Sequence, residues 1–140
     1  MIRKATITDF PAGCEASLAD AIANHTIMPI DPAKFMSRVH GAVQAGEVIV
    51  AEVDGNIVGS LAYEEFTPYY STDAALHDLW VHVHPDHRGS TVGGRLLAEF
   101  AKEAKRRGVP YFVGASGNAP DAEKVYDRHY QLVSKTYKGF

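Results

Sequence analysis

The chain has one cysteine, Cys14, in 140 residues. An internal disulfide is therefore impossible, and a chain that does not rely on disulfides reads most naturally as a cytoplasmic protein. It has no apolar run approaching the ~20 residues of a membrane span, and Met1–Thr6 lacks the apolar segment of a signal peptide. Charge of one sign is also scarce: 14 basic against 17 acidic residues leave a net −3, which gives no general pull toward nucleic acid or an anionic membrane. Internal repeats, linkers and low-complexity stretches are missing. What remains is a length and a hydrophobic fraction of 46% that suit one domain, residues 1–140, with a substantial core.

Secondary structure is legible in order. Ile2–Ile7 alternates as a first strand, and Thr8 or Asp9 can cap a helix over Ala12–Ile22. Cys14 falls on or beside that helix's apolar stripe, as a small buried hydrophobe. After the apolar loop from His25 to Ile30, Asp31-Pro32 starts a second helix reaching about Ala45, with Phe35, Met36, Val39 and Val43 on its apolar face. Glu47–Val53 and Asn56–Phe66 flank Asp54-Gly55, the strongest short hairpin signal. A polar, aromatic loop over Thr67–Asp73 precedes a strand over Ala75–Val83. A third helix closes at Arg106-Arg107-Gly108, Val109–Ala115 forms a fifth strand, Asn118 and Pro120 open a fourth helix, and Leu132–Phe140 ends the chain as a strand.

The densest signal lies in residues 79–97. The strand from Leu79 to Val83 is stopped by Pro85, which has no N–H for a ladder. Arg88, Gly89, Ser90, Thr91, Val92, Gly93 and Gly94 make a small-residue turn, after which Leu96, Leu97, Phe100, Ala101 and Ala104 recur at helical spacing. A turn of this kind collects unbonded N–H groups at the positive end of a helix dipole, and glycines let a phosphate approach the backbone. A Walker A loop would need Lys-Ser/Thr where Arg95-Leu96 stands, and a Gly-x-Gly-x-x-Gly dinucleotide fingerprint is absent.

The run Val83, Pro85, Arg88, Gly89 and Gly93 resembles the acetyl-CoA motif of the GNAT superfamily of N-acyltransferases. That family's core, Gln/Arg-x-x-Gly-x-Gly/Ala, falls on Arg88, Thr91 and Gly93, with Thr91 replacing the middle glycine. The resemblance implies an α/β (α+β) fold: one mixed, mostly antiparallel sheet with splayed fourth and fifth strands and about four flanking helices. It also implies acetyl-CoA as acyl donor and cofactor-binding positions at Val81, His82, Val83, Arg88, Gly89, Ser90, Thr91, Val92, Gly93 and Gly94. The backbone N–H groups of Val81, His82 and Val83 would bond the thioester carbonyl, and Asn118 would bond the pantetheine.

Acyl transfer to an amine needs a proton acceptor, donors aimed at the developing oxyanion and an acid for the departing thiolate. The resemblance places Tyr126 at the thiolate, although Tyr130-Gln131 stands where the family's pattern has Gly-Phe. It places His77 eleven residues before Arg88 as the candidate base, and an imidazole changes charge near neutral pH. Asp78 is the adjacent candidate. Strand alternation puts the two on opposite sheet faces unless a bulge intervenes. His82, His84 and His87 do not complete a metal set, because Pro85 breaks the strand and no Cys or carboxylate pair joins them.

The sequence thus favours direct acetyl transfer to a primary amine of a small molecule or peptide, without a metal, nucleic acid or membrane partner. The family analogy places the acceptor near Ile27–Ile30 and Tyr69-Tyr70, with Glu64, Glu65 and Asp73 steering an ammonium. Thr91 motivates an alternative, a catalytically weak CoA-binding regulatory module, since a β-branched residue restricts φ and crowds a pyrophosphate turn. A homodimer through the C-terminal strand is left open.

Overall fold

The computed structural model describes residues 1–9, 28–115 and 120–139. One five-stranded sheet carries β1 (Ile2–Lys4), β2 (Val48–Val53), β3 (Asn56–Phe66), β4 (Ala75–Val83) and β5 (Tyr111–Phe112), in that spatial order. Strands β1 to β4 are antiparallel and β5 pairs parallel to β4. Three α-helices complete the described residues: α1 (Pro32–Gln44), α2 (Val92–Arg107) and α3 (Pro120–His129).

Local chemistry explains most boundaries. Asp31 caps α1 by accepting from the Lys34 N–H at 3.0 Å, with Pro32 at the first helical position. The hairpin turn puts both Asp54 (φ 51°) and Gly55 (φ 79°) in the left-handed region, the type I′ geometry that matches strand twist. Gly108 ends α2 in the left-handed conformation, with its N–H returned to Ala104 and Lys105.

Strand alternation divides the core between the two sheet faces. Ile49, Ala51, Leu61, Tyr63 and Leu76 pack under Leu96, Phe100 and Ala104 of α2. Val48, Val50 and Ala62 pack under Val39, Ala42 and Val43 of α1. The far end of α2 is tied down by Arg107, which bonds Glu103 at 2.8 Å and lies over the buried Tyr63 ring. The Tyr63 hydroxyl accepts from Lys4 at 3.1 Å.

Several expectations change. The first strand ends at Lys4, and Ile7–Asp9 forms a 3-10 turn pinned by an Arg3–Asp9 ion pair at 2.7 Å. That pair holds the Asp9 carboxyl at about 2, since the Arg3 hydrogen bond outweighs burial. The fifth strand is two residues long. No strand forms over 131–139, whose side chains are all exposed. Its β-branched and aromatic residues have no surface to pack on, and strand preference without packing is weak. The first helix, Cys14, Asn118 and Phe140 lie outside the described residues.

Gly59 sets how closely α2 approaches the sheet. A Cβ there would lie 3.0 Å from Val92 Cγ1, 3.1 Å from the His82 carbonyl oxygen and 3.1 Å from Leu96 Cδ1. Gly59→Ala should cost about 1–3 kcal/mol by overpacking and lower Tm by roughly 3–10 °C. A thermal melt within 1 °C of the parent would show that α2 can move without cost.

Candidate active site

β4 organises the site. Its pairing with β3 runs Ala62 opposite Trp80 and Tyr63 opposite Asp78, so Leu79 is an extra residue, a β-bulge. Before the bulge, Leu76 packs against the α2 layer; after it, Val81 and Val83 do, while Leu79 and Trp80 both join the α1 layer. The bulge lies beyond His77 and Asp78, so these two do point to opposite faces, as alternation requires.

The β4–β5 pairing consists of Leu76 with Tyr111 and His77 with Phe112. From Asp78 onward the two strands are no longer paired, and among the described residues no strand covers the edge along which β4 continues to Val83. The His84 N–H bonds the Val58 carbonyl at 2.8 Å. Counting back by twos, the amides of His82 and Trp80 turn toward β3, and those of Val81 and Val83 turn to the uncovered edge. Of the three positions the sequence singled out, Val81 and Val83 therefore present their N–H groups where β5 has left. His82 is a buried side chain in the strand.

The glycine turn sits at the far end of that edge. Arg88 folds back to donate from Nε to the Val83 carbonyl at 2.9 Å, and Gly89 takes φ 78°, a left-handed turn that glycine adopts without strain. The Ser90 hydroxyl donates to the His87 carbonyl and accepts from the Val92 N–H. Thr91 is the N-cap residue, makes no side-chain capping bond, and lies at φ −80°. Its backbone is right-handed, so the β-branch meets no φ strain there, which removes one half of the crowding argument. The first turn of a helix offers no acceptors to its own leading N–H groups, which leaves the Gly93 and Gly94 amides at the open end. Beyond its chain neighbours and its own helix backbone, no atom of the described residues lies within 4 Å of where a Cβ of Gly94 would be. The fold's own packing does not require glycine at that position, although glycine weakens a helix.

Two clusters flank the point where β5 departs. On the α2–α3 face, Asp78 Oδ1 accepts from the Gly114 N–H at 3.1 Å, spanning the gap between the strands. Burial pushes the Asp78 carboxyl up to about 6, against the opposing pull of that hydrogen bond. Tyr126, on α3, packs against the same core, and its phenol is pushed well above the ordinary tyrosine value by burial and by the Asp78 charge. The Tyr126 ring also meets Tyr130, which reaches Tyr111 on β5 through a hydroxyl contact of 3.3 Å.

On the α1 face, His77 Nε2 is 2.8 Å from Glu64 Oε1, and Glu64 is also ion-paired with Arg38 of α1. Phe66 meets His77 edge-on at 4.8 Å and Phe112 at 6.0 Å. Glu64 and Arg38 were not read as a unit with His77 in the sequence, because their contact depends on strand register. Glu65 is exposed, and Tyr69 and Tyr70 are exposed and meet edge-to-face at 5.3 Å. Among the described residues no three His, Cys, Asp or Glu side chains are placed to hold a metal, and no helix is long and apolar enough to cross a membrane.

The model of the acetyltransferase (GNAT) domain matches residues 44–129, more than half of the sequence. The chain belongs to the GNAT acetyltransferase family. Among solved structures it is similar to a ribosomal-protein-alanine N-acetyltransferase from Brucella melitensis, 28% identical over 92% of this chain and 83% of that one, with a TM-score of 0.69. An acetyltransferase from Clostridium acetobutylicum solved with acetyl-CoA is 19% identical over 100% and 94% of the two chains, at a TM-score of 0.75. An aminoglycoside 6′-N-acetyltransferase from Acinetobacter haemolyticus is 14% identical over 100% and 97%, at 0.76. No curated protein sequence matches significantly.

For this GNAT acetyltransferase two outcomes follow from the site. Thr91→Gly should change the acetyl-CoA Kd by less than about threefold, since Thr and Gly are close in capping preference; strong tightening in a calorimetric titration would mean that the Thr91 side chain crowds the ligand. The raised Asp78 carboxyl contributes stability that is fully present below the ordinary carboxylate value near 4 and is lost as pH rises through about 6. Asp78→Asn removes the buried charge, so it should raise Tm relative to the parent at pH 8 and give a smaller gain or none at pH 4.5. An equal shift at both pH values would show that Asp78 is not the group that titrates.

Proposed function

We propose that this GNAT acetyltransferase moves an acetyl group from acetyl-CoA directly to a primary amine of a small molecule or peptide. What supports the reading is two sets of outward amides: those of Val81 and Val83 on the edge of β4 beyond its pairing with β5, and those of Gly93 and Gly94 at the start of α2. The edge amides suit an extended amide-bearing arm lying as a strand would. The helix start suits a pyrophosphate, with Arg88 at its lip. Asn118 is proposed to bond the same arm.

Acetyl-CoA supplies a thioester, an acyl group already activated toward an amine. Edge amides of β4 hold its carbonyl and stabilise the oxyanion that forms on attack. His77, on the α1 face, takes the proton from the acceptor's ammonium, so that a neutral amine attacks. Tyr126, on the α3 face, stays protonated across the working pH range, because burial and Asp78 oppose its ionisation. It offers its O–H to the departing sulfur. Asp78 fixes the start of the gap through Gly114 and sets the electrostatics of Tyr126. Acid and base thus stand on opposite sheet faces, with the reacting carbon between them.

The acceptor class is supported by two kinds of relative: one named for alanine of a ribosomal protein and one for aminoglycosides, both amine substrates. Placement of the acceptor near Ile27–Ile30 and Tyr69-Tyr70, with Glu64 and Glu65 of β3 and Asp73 of the loop steering its ammonium, is part of this proposal, as is a cytoplasmic location. The regulatory-module reading rests on crowding at Thr91, which its right-handed backbone weakens.

Calorimetry with acetyl-CoA, CoA and ATP comes first. Micromolar binding of acetyl-CoA with none of ATP is expected; no binding of acetyl-CoA would overturn the proposal. Turnover is then measured with the aminoglycoside sisomicin and an alanine-initiated tripeptide. Tyr126→Phe should lower kcat roughly tenfold or more with acetyl-CoA affinity retained. His77→Ala should remove the acid limb of the kcat/KM profile, and Asp78→Asn should keep one. A limb kept by the first variant and lost by the second would transfer the base role to Asp78.

A further inference from the structure

We propose that Glu64 is a positioning residue for acetyl transfer: its carboxylate fixes which nitrogen of the His77 imidazole carries the proton. The proposal rests on the reading of His77 as the base and adds the device that makes it one.

Glu64 and His77 are direct cross-strand partners in the β3–β4 ladder. Side chains of such a pair lie on one face within reach of each other. Glu64 Oε1 stands 2.8 Å from His77 Nε2, and the two side chains keep 31% and 35% of their surface exposed. Burial would push the Glu64 carboxyl up, but the hydrogen bonds from His77 and Arg38 outweigh it and hold the group below its usual range. Glu64 is therefore ionised at any pH where an amine could be acetylated, and an ionised carboxylate only accepts hydrogen bonds. His77 Nε2 must then carry the hydrogen, and in the neutral ring Nδ1 is left with the lone pair. A base whose second nitrogen is held by a carboxylate also has its ring orientation fixed.

The surroundings support the same assignment. Phe66 from β3 meets the ring edge-on and is itself met by Phe112, the register partner of His77 on β5, and neither competes for a proton. Among the described residues, the ionisable groups around His77 are Glu64 from β3, Arg38 from α1 acting through Glu64, and Asp78, its neighbour on β4, whose side chain points to the other face. Glu64 is the one that bonds the ring. Arg38 holds the far oxygen of Glu64, which leaves Oε1 for His77.

A purely structural role, tethering α1 to β3, would leave the histidine tautomer alone, so the test reads the tautomer. Glu64→Gln keeps shape and volume, but its amide can donate to His77 Nε2 as well as accept from it. In the parent enzyme, nitrogen NMR of the imidazole should show His77 protonated on Nε2 with Nδ1 as acceptor. In Glu64→Gln that population should fall, and kcat should drop roughly tenfold to a hundredfold with the acetyl-CoA Kd unchanged by calorimetry. Unchanged tautomer signals in Glu64→Gln would overturn the proposal. So would an altered tautomer with full kcat, if His77→Ala is impaired; His77 would then remain the base without Glu64. If His77→Ala keeps both its rate and its acid limb, the base assignment itself falls and the proposal with it, so the two failures are separable.

Discussion

The structure depends on where two strands stop pairing. β4 and β5 share two residue pairs and then part. Everything proposed for the site uses the gap that follows: the outward amides of Val81 and Val83, the bond from Gly114 that marks its beginning, and the glycine turn at its far end. An unpaired edge inside a sheet is costly to leave bare, since its N–H and C=O groups need partners. An extended amide-bearing ligand meets that requirement in the same way a strand would.

The bulge at Leu79 is the second half of the same constraint. One extra residue reverses which face each later side chain takes. It lets Leu76 before it and Val81 and Val83 after it all pack toward α2. It also leaves Leu79 and Trp80 together on the α1 side, where the Trp80 indole donates to Ser60 at 3.0 Å. Because the bulge comes after Asp78, the His77 and Asp78 side chains stay on opposite faces. The two neighbours therefore enter different environments. One lies beside an ionised glutamate and Phe66; the other is partly buried near a tyrosine, with its carboxyl pushed up to about 6.

α2 carries the other fixed element. Its first turn rests on Gly59, its middle buries Leu96 and Phe100, and its last turn is held through Arg107 to Tyr63. A helix anchored at both ends keeps its N-terminal amides in one place, and that rigidity is what an anion site at a helix start requires. Gly59 carried no signal in the sequence beyond being a glycine inside a strand pattern. Its purpose lies in a contact with residues more than thirty positions away.

The sequence by itself determined whatever rests on short-range chemistry. The Asp31-Pro32 helix start, the Asp54-Gly55 turn, the span of β4 and the glycine turn opening α2 each follow from residues within a few positions of one another. The family could be recognised from Val83 to Gly93 for the same reason. Tertiary structure decided what depends on register and on available surface. It shortened β5 to two residues and left 131–139 without a strand, because strand propensity needs a neighbour to pack on. It placed the bulge at Leu79, paired Glu64 with His77 across two strands and brought Arg38 to both. Cross-strand partners are fixed by a register that a single inserted residue can shift, so no reading of nearest neighbours along the chain could have assigned them.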